Sequence, residues 1–135
     1  MSGTLTSFEE LECWQAATEV RRFMMTLVKR FPAHEKYSLT DDMTRAARSA
    51  THNIAEGFGR FHFQENVQFC RQSRGSLYEL LDQLLTAKDE HYITAEEYEQ
   101  GKTYIDKALP LLNGYINYLS RAKKEYSKKQ ITNND

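Results

Sequence analysis

What most limits the folds open to this chain is the spacing of its apolar residues. They recur every three or four positions through long stretches almost free of helix breakers, with only two prolines and six glycines in 135 residues. Leu11, Trp14, Ala17, Met24, Leu27 and Phe31 trace one face as far as Pro32, and Ser7 with Glu10 matches a capping box. The spacing predicts a first helix over 8–30. A second, over 39–61, follows a polar turn: Ser38 or Thr40 can cap it, Asp41 and Asp42 suit the positive end of its dipole, and Met43, Ala47, Ala50, Ile54 and Phe58 form its stripe. Val67, Cys70, Leu77, Leu80, Leu81, Leu84 and Leu85 carry a third over 64–90. Thr94 and Glu97 make another capping box, opening a fourth over 95–126 that Pro110 is expected to kink or break, with a frayed tail beyond Tyr126.

Four amphipathic helices on short connections predict an all-α fold, an antiparallel up-down-up-down four-helix bundle, in one domain over 1–135. At this length, with 40% hydrophobic residues, a single core suffices and no disulfide or metal is needed. Cys13 and Cys70, the only cysteines, have no Cys-x-x-Cys spacing and read as buried thiols. Residues 1–8 lack a basic segment followed by an apolar run, and no stretch of 18 apolar residues occurs. The expectation is a cytoplasmic chain without a membrane partner.

Phe8, Leu11, Trp14 and Ala17 are followed by Phe31-Pro32 and Glu35. Arg45-Ala46-Ala47 then leads to Asn53-Ile54-Ala55-Glu56-Gly57-Phe58-Gly59-Arg60, and Gly75-Ser76-Leu77 with Glu79 completes the pattern. In these residues the chain resembles the bacterial four-helix-bundle protein family, which includes proteins encoded in intervening sequences of large-subunit ribosomal RNA genes. The accessory variability determinant of diversity-generating retroelements is similar to that family. The resemblance spans roughly 8–119 and is sharpest over 53–60. It implies a homo-oligomer, commonly a pentamer, without catalysis; for the retroelement branch it implies a basic surface that binds nucleic acid and a reverse transcriptase. Two features depart from that branch: the Asp41-Asp42-Met43-Thr44 stretch, and a net charge of −1 from 18 Lys+Arg against 19 Asp+Glu.

Phosphate binding draws on Lys and Arg, so any nucleic-acid site must be local. From Met43 to Arg74 five arginines face Glu56 and Glu65, a balance of +3. From Leu111 to Asp135 five cations face Glu125 and Asp135, again +3, whereas Gly75 to Pro110 stands at −5. The candidate phosphate-contacting residues are Arg45, Arg48 and Arg60, with Arg121, Lys123 and Lys124 in the tail. Positions 45, 48 and 52 share one helix face, so these arginines also read as solvated or paired with carboxylates. The tail cations also read as a solvated helix end complementing the dipole. Asn53, Glu56 and Glu79 are expected to join arginines in a network that fixes helix register or a subunit interface. Gly57, Gly75 and Ser76 would allow close backbone approach. The tyrosines crowding the last third of the chain suit an interface or core, and single-stranded bases less well.

Enzyme readings fail on spacing. Gly101-Lys102-Thr103 resembles the end of a phosphate loop, but the first glycine of that pattern would fall at Glu96. None of His34, His52, His62 or His91 has a glutamate three residues before it, as a di-iron bundle requires. No catalytic, cofactor-binding or metal-ligating residue is assigned. The expected function is a non-enzymatic oligomeric scaffold, a homopentamer by resemblance, for RNA or a ribonucleoprotein or reverse-transcriptase partner. The alternative is a protein–protein interaction module with no nucleic-acid contact.

Overall fold

A computed structural model describes residues 5–134. The reading of residues 1–4 and the charge of Asp135 lie outside the described residues. Apolar periodicity becomes four helices: α1 (Glu12–Val28), α2 (Leu39–Gly59), α3 (Phe63–Asp89) and α4 (Ala95–Asn134), with 3₁₀ turns at Phe8–Glu10 and Ala33–Glu35. No strand occurs among the described residues. Each helix packs on two others, α1 on α2 and α4, and α3 on α2 and α4, closing a four-helix bundle. Val20 and Met24, Met43 and Ile54, Leu77, Leu80 and Leu84, and Ile105 and Leu112 are fully buried between them. Burying one such side chain is worth about 1.5–3 kcal/mol, which outweighs any local helix preference.

The ends of the helices depart from the periodicity where side chains impose local geometry. The chain enters α1 through a 3₁₀ turn because Leu11 is extended and buried and Phe8 packs edge-on against Trp14 with centroids 5.2 Å apart. The expected Ser7–Glu10 capping box does not form. Ser7 Oγ accepts from the Glu9 N–H at 3.2 Å, and the Glu10 carboxylate takes the Thr6 hydroxyl at 2.7 Å. Helix α2 stops at Gly59 because Phe61 adopts φ 60°, a left-handed conformation that costs a bulky residue about 1–2 kcal/mol. The Thr94–Glu97 box does form, with reciprocal bonds of 3.0 and 2.9 Å.

Helix α4 corrects two expectations. It is continuous through Pro110, which lies on the exposed face, where the carbonyl of Asp106 that would accept its missing N–H can take water instead. It also runs to Asn134, well past Tyr126. Glycines divide similarly. A Cβ on Gly57 would meet Asn66 Oδ1 at 2.7 Å and the Asn66 carbonyl at 3.1 Å, so α2 and α3 approach closely there. A Cβ on Gly75 would meet nothing within 4 Å; within one chain this glycine serves no close approach.

Candidate nucleic-acid interface

The expected network of Asn53, Glu56 and Glu79 with arginines does not cross the seam between α2 and α3. Asn53 Nδ2 donates to the Ser49 carbonyl at 3.0 Å and to Ser49 Oγ at 2.7 Å, and Ser76 Oγ reaches Ser49 Oγ at 2.9 Å. Ser73 Oγ donates to the Ala50 carbonyl at 2.5 Å. The Ser76 and Ser73 bonds cross between the helices and fix their register, whereas Asn53 bonds within α2. Glu56 and Glu79 stay outside them: Glu56 pairs with Arg60 one turn on at 2.8 Å, and Glu79 accepts from Gln83 at 3.2 Å. Both carboxylates are exposed and neither meets Asn53. Sequence reasoning missed Ser49, because a serine in a helix carries no signal until the facing helix supplies its partner.

The candidate cations do not converge on one face. Arg45 bonds Asp42 at 3.2 Å and lies 3.6 Å from Asp41, both on its own helix. Arg60 pairs with Glu56 and lies over the Phe69 ring at 5.2 Å. Arg48 and Arg121 are exposed and unengaged within the chain among the described residues. Lys123 and Lys124, by contrast, flank a groove of about 480 Å³ between the start of α3 and the end of α4. Opposite them stand Gln64, Gln68 and Arg71, with Val67 as an apolar floor and Ser120, Ser127 and Lys128 completing the rim. Lys123 Nζ donates to Gln64 Oε1 at 3.2 Å, while the side chains of Arg71 and Lys124 have no partner among the described residues.

Among the described residues, no carboxylate lines this groove. A neighbouring hollow that shares Gln64 and Gln68 contains Glu65, and the groove along the α2–α3 seam contains Asp42 and Glu79. Between α3 and α4, cations therefore face amides and hydroxyls that can hydrogen-bond an anion. The signal for Arg71 was present but unread. Gln64, Gln68 and Arg71, like Ser120, Lys123 or Lys124, and Ser127, sit at helical spacing, and the two stripes meet only once the antiparallel register is known.

At the opposite end, polar groups satisfy one another. Tyr92 Oη donates to Glu35 Oε2 at 2.7 Å and lies 3.2 Å from His34 Nε2, so the α3–α4 connection is tied to the α1–α2 connection. Tyr92 also packs on Phe31 with centroids 5.6 Å apart. The Tyr92 hydrogen bond and the Leu39 N–H hold the Glu35 carboxyl below its ordinary 4.5, and the same bond pushes the Tyr92 phenol up to about 12. Glu97, bonded by the Thr94 N–H and by Arg30, is likewise lowered.

Chemically reactive groups are muted. Burial pushes the thiols of Cys13 and Cys70 up to about 12, which keeps them protonated and inert as nucleophiles. Among the described residues no three His, Cys, Asp or Glu side chains gather as a metal site. No described helix is long and apolar enough to cross a membrane. The arrangement defines a four-helix bundle with a cation-lined groove at one end.

Within that class the sequence profile of the 23S rRNA-intervening sequence proteins matches residues 9–114, and the chain belongs to this family. A crystal structure of a protein of unknown function from the S23 ribosomal protein family of Bacteroides thetaiotaomicron aligns with a TM-score of 0.71 at 19% identity. The alignment covers 78% of this chain and 95% of that one, a likeness of fold. No curated protein matches the chain.

Proposed function

We propose that this protein is a non-enzymatic, cytoplasmic, homo-oligomeric scaffold, a pentamer by resemblance, that carries an RNA or ribonucleoprotein partner on the basic end of each bundle. The observation that carries this reading is the carboxylate-free groove between α3 and α4, with Arg71 and Lys124 unengaged beside Lys123. A family of proteins encoded within ribosomal RNA genes fits such a role, although the groove is the physical argument. Its cations replace Arg45 and Arg60 as the phosphate contacts, since those two are already paired on their own helix. The four groove cations per chain, Arg71, Lys123, Lys124 and Lys128, imply a slope of log affinity against log salt of about −3 for a single strand.

Light scattering of the full chain at low and high salt, with and without bulk RNA, tests both halves. The expected result is a mass near five subunits that rises with RNA at low salt only, with the rise lost in Arg71→Glu/Lys124→Glu. A monomer would overturn the assembly, and a five-subunit mass that ignores RNA would leave a protein–protein module. That second reading draws on Tyr78 and Leu85, exposed on α3 and two turns apart.

A further inference from the structure

We propose that the basic end is a reader of single-stranded nucleic acid, in which exposed aromatic rings stack on bases while the groove cations hold the phosphates. This rests on the polyanion reading above and adds to it the strandedness of the ligand. Phe61 is 89% exposed, yet its backbone is held at φ 60°, where glycine is the comfortable residue. A bulky apolar side chain kept in a disfavoured conformation and displayed to water serves neither packing nor the turn. Two residues on, Phe63 lies 6.4 Å from Tyr126 of α4 with the rings inclined at 59°, both partly open to solvent. Tyr126 follows Lys123 and Lys124 on α4, and Phe63 immediately precedes Gln64 at the groove.

The Phe63–Tyr126 pair and the groove cations therefore lie on one end of the molecule, with Phe61 two residues before Phe63, as a strand with flexible phosphates and unstacked bases requires. The amides of Gln64 and Gln68 add donors and acceptors between the two. A duplex would leave the rings idle, because its bases are stacked on each other and only its phosphates are offered. Charge and aromatic surface together favour the single strand.

Fluorescence anisotropy of the full chain at low salt compares oligo(U) of about 12 nucleotides, an abasic strand of the same length, and an RNA duplex with the same number of phosphates. Oligo(U) is expected to bind about tenfold more tightly than either. Phe61→Gly suits the left-handed turn and keeps the fold; combined with Tyr126→Ala it should remove that tenfold and leave the abasic strand unaffected. Arg71→Glu/Lys124→Glu should weaken all three probes. Equal affinity for oligo(U) and the abasic strand, unchanged by Phe61→Gly, would overturn the stacking and leave the polyanion reading standing. No binding to any probe would overturn both. A loss of oligomer mass in Phe61→Gly with affinity intact would overturn the proposal by giving the ring to a subunit interface.

Discussion

Both interhelical turns that follow a long helix use a non-glycine residue in the left-handed conformation, His91 at φ 62° after α3 and Phe61 at φ 60° after α2. Around His91 the surroundings are closed. Tyr92 takes Glu35, Thr94 and Glu97 cap each other, Arg30 pairs with Glu97, and Lys88 lies 4.6 Å over the Tyr98 ring. Around Phe61 they are more open: Phe61 and Tyr126 are exposed, and among the described residues the side chains of Arg71 and Lys124 have no partner. One backbone device thus serves two purposes. Where polar groups saturate each other the turn fastens the bundle; after α2 it displays an exposed ring instead.

Tyr92→Ala should break the comparison at its fastened end most severely. It removes the bond to Glu35 and the packing on Phe31, and the thermal midpoint should fall by about 5 °C, whereas Tyr126→Ala at the open end should stay within about 1 °C. Equal losses at both ends would sink the contrast. Next in size is Gly57→Ala. The added methyl meets Asn66, whose amide is committed to Tyr115 Oη at 3.0 Å, so a net loss of about 1–2 kcal/mol is expected in urea unfolding despite a gain of about 1 kcal/mol in helix preference. Gly75→Ala, with open space at the Cβ, should instead stabilise the chain by about 1 kcal/mol. Loss of assembly in that variant would place Gly75 in a subunit contact.

The smallest effect is in pH. Glu35 and Glu97 have folded values below the ordinary 4.5, so the stability they contribute is complete above 4.5 and is lost as pH falls through the folded values. Thermal midpoints of the wild type should therefore drop below pH 4.5 more steeply than those of Glu35→Gln/Glu97→Gln. Parallel curves would remove the fastening role of the carboxylates.

Much of this fold is legible in the sequence because helix periodicity and caps are local. The stop near Pro32, the Thr94–Glu97 box and the stripes of α2 and α3, apart from Leu85, which is exposed, all follow from neighbours within a turn or two. What escaped is relational. Ser49 acquires its role only opposite Ser76, Arg71 only opposite Lys124, and Arg45 loses its role to Asp41 and Asp42 on the same helix. Gly57 and Gly75 look alike in sequence, yet one lies against Asn66 and the other faces open space, a difference that only the packing of α2 on α3 decides. The end of α4 was misjudged because charged residues beyond the core lower hydrophobicity without opposing helix formation.

The last buried residue of α4, Leu119, divides the helix in its response to exchange with solvent deuterium. Pro110 has no amide hydrogen to lend to the preceding turn, yet Leu112, Ile116 and Leu119 beyond it are buried and hold that stretch to the core. Upstream, Gly101 is buried against Leu84 and Phe23, and protection there should approach that of global unfolding. Downstream, from Lys123 to Gln130, every side chain is exposed, and those amides should exchange through openings that travel inward from the tail. The carboxy-terminal third of the helix can then lose and regain its order independently, leaving the rest of the bundle folded throughout.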